Sequence, residues 1–331
     1  MSINGKMTIL SDWNQNLHAY SIPESLIKSI NNQGSDNQII FDDSNCNPSS
    51  IRFYFGNIPN EKILSQYHNL EWIHFGSIGI DKLRHEFIKE RSLTITNGAN
   101  TNTKAVVTYC IGEIFKSCKS GFTSRNYIDS NELTREHFNN FYHHMIDYND
   151  INLCLLGYGS IGQELTKILS PLVKSINIVT KTKRADFQNV KFYSLMDLNE
   201  AIIDMSHMIN VIPLHKETEN IVSKKVLNEA NSLYYICAGR AETHDISDIL
   251  ISLESGLLRG ASLDVHGLPN GKIQASVLAN KKIALTPHIS GWTKNFWDNQ
   301  KTVIMHNLTI VNRANHQSMK NIIYNRGIKI S

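Results

Sequence analysis

The sequence predicts an α/β fold in two domains. Short apolar runs alternate with helix-like stretches along most of the 331 residues, a pattern typical of parallel sheets covered by helices. A glycine-rich turn follows the apolar run Leu153–Leu156 near the middle of the chain, so the unit that contains it starts late. Two domains are the expectation at this length. We therefore predict a Rossmann-type doubly wound parallel sheet inserted into a second, smaller, flavodoxin-like α/β domain.

The chain is predicted to pass between the two domains twice. Residues 1–105 and 293–331 are assigned to a substrate-binding domain, and residues 106–292 to a dinucleotide-binding domain. The tail after Trp292 contains a helical stretch and is inferred to return to the first domain. Two crossings leave a cleft between the domains, which is a usual place for a ligand.

The first hundred residues predict a small α/β domain with a parallel sheet. The predicted strands are Met7–Leu10, Gln38–Phe41, Ile51–Phe55, Glu71–Phe75 and Leu93–Thr96. The predicted helices are Pro23–Ile30, Asn60–Tyr67, one from Lys82 with Asp81 as its N-cap, and Thr103–Lys119. Residues 120–150 are polar and predict only a helical piece near Asn131–His144.

A second α/β run predicts a complete doubly wound domain of six strands. The strands are Ile151–Leu156, Ile176–Thr180, Met208–Ile212, Leu233–Cys237, Gly260–Val265 and Ile283–Thr286. The helices are Gln163–Leu169, Met196–Met205, Lys224–Ala230 and Ile246–Ser255. Ser223 is predicted to cap the third of these helices, and Gly256 stands where a glycine commonly ends a helix.

Composition excludes several classes of function. A formal net charge of +3 is too small to predict binding to nucleic acid or to a membrane surface. No apolar run approaches the ~20 residues of a transmembrane helix, and no signal peptide is recognisable, so a cytoplasmic protein is expected. The five cysteines are odd in number and lack C-x-x-C spacing, which predicts reduced thiols and no metal site.

The segment Gly157-Tyr158-Gly159-Ser160-Ile161-Gly162 has the G-x-G-x-x-G pattern of a dinucleotide site. Gly157 permits a tight turn, Gly159 lets backbone approach a pyrophosphate, and Gly162 lets the next helix pack on the strand. Amides of the first helical turn, which includes Ser160 and Ile161, would hold the phosphates. A glycine-rich turn that binds nothing is the alternative.

The second strand of this domain ends without a carboxylate, in the sequence Ile178-Val179-Thr180-Lys181-Thr182-Lys183-Arg184. An acidic residue about 20 residues after the glycines binds the adenosine ribose of NAD in this fold. The hydroxyls and cations of Thr180, Lys181, Thr182 and Arg184 suit a 2′-phosphate instead. NADP(H) is therefore the expected cofactor, with NAD(H) possible, and a solvated basic loop is the alternative interpretation.

Three segments just beyond predicted strand ends carry candidate catalytic side chains: Ile236–Arg240, Ala261–Val265 and Thr286–Gly291. Arg240 can clamp a substrate carboxylate and polarise the neighbouring carbonyl. His288 can protonate a developing alkoxide while hydride arrives from a nicotinamide. Taken singly, Arg240 could be a surface cation and His288 an ordinary histidine among fourteen.

Together and in this order, these motifs resemble the D-isomer-specific 2-hydroxyacid dehydrogenases. The resemblance begins near residue 71 and runs through Phe75-Gly76-Ser77-Ile78-Gly79-Ile80-Asp81, the glycine motif, Asn210–Leu214 with Thr218-Glu219, the three catalytic segments and Asn321-Ile322-Ile323. It implies hydride transfer between NAD(P)H and a small-molecule 2-keto or 2-hydroxy acid, expected in the reductase direction. NADPH-using members suggest glyoxylate and hydroxypyruvate as first substrates. The family also implies a homodimer and an inserted nucleotide domain.

The resemblance assigns roles to individual residues. Arg240 matches the substrate-orienting arginine, His288 the acid/base beside the cofactor, and Asp264 the aspartate near the nicotinamide. The amides of Ile78 and Gly79 match the loop that holds the substrate carboxylate. Thr180 occupies the ribose-selecting position. Other positions that match the cofactor site are Pro213, Thr218, Ala238 and Gly291.

One position departs from the family pattern. The family places a glutamate, bonded to the catalytic histidine, five residues after the aspartate of Leu263-Asp264-Val265. Pro269 stands there, and no acidic residue occurs between Asp264 and Asp298. That carboxylate favours the protonated imidazole, so its absence predicts a reduction optimum displaced toward acid pH. Formate dehydrogenases of the superfamily use a glutamine there, and the nearest glutamine is Gln274.

Two other interpretations remain open. A catalytically weakened NADP(H)-binding sensor or scaffold is supported by the missing glutamate and opposed by the presence of both Arg240 and His288. Oxidation of formate or phosphite by the same fold is opposed by the basic segment around Thr180, since most such relatives prefer NAD⁺.

Overall fold

The computed structural model describes residues 7–13, 21–33, 37–41, 44, 46–57, 59–80, 83–119, 135, 139, 142–143, 145–182, 184–265, 273–311 and 316–330. The chain forms two compact units. The first comprises Met1–Asn102 with Thr293–Ser331, and the second comprises Thr103–Trp292.

The first unit is built on a seven-stranded sheet. Its strands are β1 (Met7–Ser11), β2 (Asn37–Ile40), β3 (Ile51–Gly56), β4 (Trp72–Phe75), β5 (Thr94–Thr96), β13 (Ile322–Asn325) and β14 (Ile328–Lys329). Strands β2-β1-β3-β4-β5 are parallel in that order, whereas β13 pairs antiparallel with β5 and β14 antiparallel with β13. The predicted all-parallel sheet is therefore wrong at one edge, where the tail adds two strands.

The described part of this unit has four helices: α1 (Glu24–Asn32), α2 (Glu61–Leu64), α3 (His85–Glu90) and α10 (Phe296–Val311). Helix α2 begins where the side-chain oxygen of Asn60 accepts hydrogen bonds from two backbone amides, and it ends earlier than predicted. The predicted capping by Asp81 lies outside the described residues. Trp13, Phe55 and Trp72 pack in one aromatic core, with edge-to-face contact between Phe55 and Trp72.

The second unit is built on an all-parallel seven-stranded sheet. Its strands are β6 (Asn152–Leu156), β7 (Ser175–Val179), β8 (Val190–Tyr193), β9 (His207–Asn210), β10 (Leu233–Cys237), β11 (Leu258–Leu263) and β12 (Ile283–Leu285). The order β12-β11-β10-β9-β6-β7-β8 reverses direction at β6, as in doubly wound nucleotide-binding domains. The doubly wound architecture is confirmed, but β8 is a strand that the sequence did not predict.

Among its described residues, the second unit has six helices: α4 (Thr103–Cys118), α5 (Ser160–Leu169), α6 (Leu198–Ala201), α7 (Lys224–Leu227), α8 (Ile246–Glu254) and α9 (Ala275–Ala279). The predicted helix Met196–Met205 is reduced to a 3-10 turn followed by α6. Ser223 precedes α7 without a capping hydrogen bond from its side chain. The Asp248 carboxylate takes that role and accepts from the amide of Lys224 at 2.7 Å. Gly256 has φ +81° and ends α8, as predicted.

Both strand cysteines, Cys154 and Cys237, are fully buried in the second unit. Their thiols are unpaired, as are those of the other three cysteines. Most of the predicted helical piece Asn131–His144 lies outside the described residues. Where the structure describes the chain, no helix combines the length and the apolarity needed to cross a bilayer.

Candidate active site

The candidate residues of the second unit follow the carboxyl ends of its strands. Register pairs the last residues of neighbouring strands: Leu156 with Val179 and Asn210, Cys237 with Asn210 and Leu263, and Leu263 with Leu285. The next residues along the chain therefore share one edge of the sheet, and they include Gly157, Thr180, Ala238 and Asp264. Ligands bind at this edge in doubly wound sheets.

The glycine turn forms a cradle that side chains would fill. Gly157 has φ +108°, and a Cβ on it would lie 3.1 Å from the backbone of Ile212. A Cβ on Gly162 would collide with the carbonyl oxygen of Gly157, whereas one on Gly159 would enter open space. Helix α5 starts directly after Gly159 with no acidic residue in its first turn. These features fit a dinucleotide pyrophosphate at the helix N-terminus.

Ser160 and Ile161 of the motif, together with Gly162, lie in the first turn of α5. The Ser160 hydroxyl oxygen accepts a hydrogen bond from the Thr103 hydroxyl at 3.2 Å, which ties this turn to the start of α4. Ile161 is half-buried beside the core. The structure thus brings all five named residues of the glycine motif into one strand–turn–helix unit.

The segment after β7 contains a feature that the sequence did not reveal. Lys181 forms an ion pair with Glu217, with Nζ 2.8 Å from Oε2 and both side chains largely exposed. The Arg184 guanidinium lies 5.0 Å from the ring centre of Tyr158, which in turn contacts Phe192 edge-on. The backbone amide of Thr180 donates a hydrogen bond to the carbonyl oxygen of Tyr193, and Thr182 is exposed.

A carboxylate from far along the chain reaches this segment. Residues 180–184 contain no acidic side chain, but Glu217 forms an ion pair with Lys181. The Lys181 ammonium lowers the pKa of Glu217, so this carboxylate is charged at neutral pH. Lys183 lies outside the described residues.

Asp264 organises the turn that carries His288. Its buried carboxylate accepts hydrogen bonds from the Thr286 hydroxyl at 2.6 Å and from the amides of Ile289 at 2.8 Å and Ser290 at 2.9 Å. Its carbonyl oxygen accepts from the amide of His288 at 3.0 Å. These bonds hold His288 at φ +56°, a conformation that few residues other than glycine adopt, with its ring exposed on the second unit.

Arg240 is positioned through its backbone. The Thr243 hydroxyl donates to the Arg240 carbonyl at 2.5 Å and accepts from the Nδ2 group of Asn210, which is fully buried, at 2.8 Å. The Arg240 guanidinium reaches the carbonyl of Gly239 at 3.0 Å. A Cβ on Gly239 would lie 3.0 Å from the carbonyl of Ile212, so the chain approaches too closely there for a larger residue.

The remaining predicted cofactor positions lie in three loops. The Thr218 hydroxyl donates to the carbonyl of Pro213 at 2.8 Å and accepts from the His215 amide at 2.7 Å, which closes the loop after β9. The amide of Ala238 binds the carbonyl of Asn210 at 3.1 Å. Gly291 follows the turn held by Asp264 and is half-buried.

Two side chains of α4 support this edge, and the sequence did not single them out. The Tyr109 hydroxyl donates to Thr286 Oγ1 at 3.1 Å, because the Thr286 proton is already given to Asp264. Burial raises the pKa of Tyr109 above its usual range, so the phenol stays protonated. Glu113 accepts from the Ser262 hydroxyl at 2.5 Å. Their four-residue spacing on one helical face is a signal that could have indicated a shared target.

Ile78 and Gly79 belong to the first unit, in the loop after β4, and are half-buried. Pro269 lies outside the described residues. Gln274 precedes the short helix α9 and is exposed.

Comparison with known proteins finds one family profile and several related reductases. The profile of the D-isomer specific 2-hydroxyacid dehydrogenase family, NAD binding domain, matches residues 122–290. The chain is 23% identical over 249 residues to glyoxylate/hydroxypyruvate reductase A of Arabidopsis thaliana, covering 74% of this chain and 77% of the relative. It is 27% identical over 147 residues to glyoxylate/hydroxypyruvate reductase A of an Enterobacter species, a match that spans 44% of this chain and 47% of that relative.

Solved structures share the fold at low identity. An NADPH-dependent glyoxylate/hydroxypyruvate reductase of Sinorhizobium meliloti, in complex with NADP and malonate, superposes with a TM-score of 0.77 at 16% identity, covering 99% of both chains. An NAD-dependent formate dehydrogenase of Staphylococcus aureus, in complex with NAD, has a TM-score of 0.78 at 16% identity over 93% of this chain and 96% of its own. Since the family profile matches half of its length, the chain belongs to the D-isomer-specific 2-hydroxyacid dehydrogenase family.

Proposed function

We propose that the chain reduces a small 2-keto acid at the expense of NADPH. The broader class follows from membership of the family, which consists of nicotinamide-dependent oxidoreductases that transfer hydride to or from hydroxy acids. The observation that carries the proposal is the placement of Arg240 and His288. They follow β10 and β12, the two neighbours of β11, whose last residue is followed by Asp264.

Each functional group has a role that its surroundings favour. Bound nicotinamide dinucleotide supplies the hydride. Arg240 clamps the substrate carboxylate and polarises the keto oxygen, as a guanidinium does with paired acceptors. His288 gives a proton to that oxygen as it becomes an alkoxide. Asp264 holds the turn that carries His288, because its carboxylate accepts three hydrogen bonds from residues of that turn.

The dinucleotide is held by the glycine turn and by the segment after β7. Backbone amides of Ser160 and Ile161, at the start of α5, bind the pyrophosphate. Arg184, with Thr180, Lys181 and Thr182, binds a 2′-phosphate, which supports a preference for NADP(H) over NAD(H). Pro213, Thr218, Ala238 and Gly291 line the rest of the cofactor site.

The proposal extends to the first unit and to the assembly. The amides of Ile78 and Gly79 bind the substrate carboxylate. The working protein is a homodimer in a reducing, cytoplasmic setting, and the unpaired thiols support the latter. Analytical ultracentrifugation of the full chain tests the dimer.

The test of the reaction is a set of initial rates. NADPH and NADH oxidation are followed with glyoxylate, hydroxypyruvate, pyruvate and longer 2-keto acids at pH 6 and pH 8. Turnover is expected with NADPH, and faster at pH 6 because no carboxylate at position 269 favours protonated His288. Arg240→Ala is expected to lower kcat/KM by about a thousandfold, on the scale of a lost charge-assisted contact in the transition state.

The controls separate catalysis from binding. Arg240→Ala should leave the Kd of NADPH within a factor of about two, a small change on the affinity scale. Arg84→Ala removes an exposed arginine of the first unit and should leave the rates unchanged. Tight NADPH binding without turnover of any acid on the panel would overturn the reductase. A rate that stays flat between pH 6 and pH 8, with chemistry rate-limiting, would overturn the role given to the missing carboxylate.

A further inference from the structure

A continuous chain of buried hydrogen bonds runs beneath the loop Gly76–Gly79, hereafter the 76–79 loop. Trp72, His74 and Thr96 come from the adjacent strands β4 and β5, and Gln300 comes from α10. All belong to the first unit, and His74, Thr96 and Gln300 have no exposed surface. Nothing in the proposed chemistry uses these side chains.

The direction of every bond in this chain is fixed by its ends. Gln300 Nε2 lies 2.7 Å from the carbonyl oxygen of Gly76, which can only accept, so the Gln300 Oε1 atom faces His74 Nε2 at 3.2 Å. His74 Nε2 must then carry the proton. Burial lowers the pKa of His74 to about 4, so the ring is neutral near pH 7 and its Nδ1 is an acceptor.

The other end of the chain completes this assignment. His74 Nδ1 accepts from the Thr96 hydroxyl at 2.8 Å, and Thr96 Oγ1 accepts from Trp72 Nε1 at 2.9 Å. Every donor group in this chain has an acceptor, from the Trp72 indole to the Gly76 carbonyl. Such a network has one arrangement only, and it holds its terminal atom rigidly.

Two further bonds fix the rest of the loop. The carbonyl oxygen of Ser77 accepts a hydrogen bond from the amide of Gly98 at 2.9 Å, and that of Ile78 accepts from Asn97 Nδ2 at 2.6 Å. The carbonyl and the amide of one trans peptide point in opposite directions, so the amides of Ile78 and Gly79 point away from Asn97 and Gly98. Within the described part of the chain, neither amide has a protein acceptor.

Close packing supports the same interpretation. A Cβ on Gly98 would collide with the carbonyl oxygen of Gly76 and would lie 2.9 Å from Gln300 Nε2. The Gln300 amide also reaches Thr101 Oγ1 at 3.1 Å. The side chains of Gln300 and Asn97 therefore hold the carbonyl groups of the 76–79 loop, while the consecutive amides of Ile78 and Gly79 stay available to an anion.

We propose that His74 and Gln300 are positioning residues that preorganise the amides of Ile78 and Gly79 for the carboxylate of the 2-keto acid. This inference rests on the proposed function of those amides. The pair touches neither substrate nor cofactor. Its effect is on substrate affinity, because a loop that becomes ordered only at binding pays an entropic cost, which weakens binding.

The test compares two substitutions on one helix. Gln300→Leu removes the bond to Gly76, and Asn307→Leu, seven residues along α10, removes an equally buried amide that holds Lys320 instead. Gln300→Leu is expected to raise the KM for glyoxylate about tenfold, with kcat and the KM for NADPH within about twofold. Asn307→Leu should lower the Tm and leave all three constants near those of the wild type.

A second pair tests the direction of the bonds. His74→Gln retains a donor near the position of Nε2 and should restore most of the glyoxylate affinity that His74→Leu loses. Equal KM values for these two variants, or equal effects of Gln300→Leu and Asn307→Leu, would overturn the positioning role.

Hydrogen exchange separates this inference from the reaction itself. In the ligand-free chain, Gln300→Leu should speed exchange at the amides of Ser77 and Gly98 by about fivefold or more, and Asn307→Leu should not. Unchanged exchange at both amides would also overturn the inference. If the wild type reduces no 2-keto acid, the proposed function fails, and the exchange rates still decide whether Gln300 holds the loop.

Discussion

Glu217 is the residue that most affects how the cofactor preference should be tested. Its carboxylate lies 2.8 Å from Lys181 Nζ, so one of the cations expected to attract a 2′-phosphate is already paired in the ligand-free chain. Among the described residues, Arg184 forms no ion pair with a carboxylate, and its guanidinium lies over the Tyr158 ring instead. At the proposed 2′-phosphate site, Glu217 is therefore expected to oppose NADPH binding electrostatically and Arg184 to favour it.

Glu217→Gln is expected to strengthen NADPH binding. The substitution removes a negative charge near the proposed phosphate and frees Lys181, so the KM for NADPH should fall about threefold, the scale of an exposed charge contact. The KM for NADH should stay nearly constant, and the difference should shrink in high salt. Steady-state kinetics with both cofactors measure this.

A matched control is available in the same unit. Glu229→Gln removes an exposed carboxylate that forms no ion pair within the described residues and should change neither constant. If Glu217→Gln instead raised the KM for NADH, Glu217 would be a ribose-binding acid, and the preference for NADP(H) would be wrong.

Local sequence signals indicate candidate residues whose proposed chemistry is encoded near them. The order Gly239-Arg240, Leu263-Asp264 and Thr286-Pro287-His288 identified the candidate catalytic loops, and register places them at neighbouring strand ends. Glu217 and Gln300 could not be found in this way. Their partners, Lys181 and His74, lie 36 and 226 residues away, so only the folded chain shows the contacts.

In the strand–turn–helix element from β6 to α5, the structural and the cofactor-binding roles of the glycines can be tested separately. A Cβ on Gly162 would meet the Gly157 carbonyl, whereas one on Gly159 meets nothing within 4 Å. Gly162→Ala should therefore lower the free energy of unfolding by about 2 kcal/mol through forced displacement of backbone. Gly159→Ala should leave stability unchanged but weaken NADPH binding at least about tenfold, because its methyl group would occupy space proposed for the pyrophosphate.

The measurements are urea unfolding of the ligand-free variants and NADPH titration by fluorescence. Gly112→Ala, at a position in α4 where a Cβ also meets nothing, controls for the helical preference of alanine and should leave NADPH binding intact. Normal NADPH affinity in Gly159→Ala would show that the turn does not hold the cofactor.

Elements with strong apolar runs were predicted well, and weakly patterned ones were not. The strands of the second sheet that are buried throughout, such as β10, stand out as continuous apolar segments. Strand β8 lies at the sheet edge with only Val190 of its four residues buried, so Val-Lys-Phe-Tyr is too short to show a burial period. Strands β13 and β14 have too few buried residues for periodicity to reveal them.

At the scale of the whole molecule, both units bury histidines that must remain neutral. Burial lowers the pKa of His74, in the first unit, and of His244, in the second, to about 4. His207, at the start of β9, is shifted downward for the same reason, and the nearby Arg259 guanidinium adds to the effect. Each ring accepts or donates hydrogen bonds in its neutral form, so protonation conflicts with folding in both units.

The sign of the resulting pH dependence follows from proton uptake. An unfolded histidine binds a proton below about pH 6.5, whereas native His74 and His244 stay neutral down to about pH 4. The unfolded chain therefore holds more protons between these limits, and the free energy of unfolding falls as pH falls through that window. At pH 5.5 each of the two histidines should remove about 1.4 kcal/mol relative to pH 8.

Urea unfolding at pH 8 and pH 5.5, followed for each transition because two units need not unfold together, measures this loss. His74→Gln should remove about 1.4 kcal/mol of the pH dependence from the first unit, and His244→Gln a similar amount from the second. His68→Gln replaces an exposed histidine of the first unit and should keep the wild-type dependence. Equal wild-type stability at the two pH values, or a full dependence in both buried-site variants, would mean that these rings are not held neutral by burial.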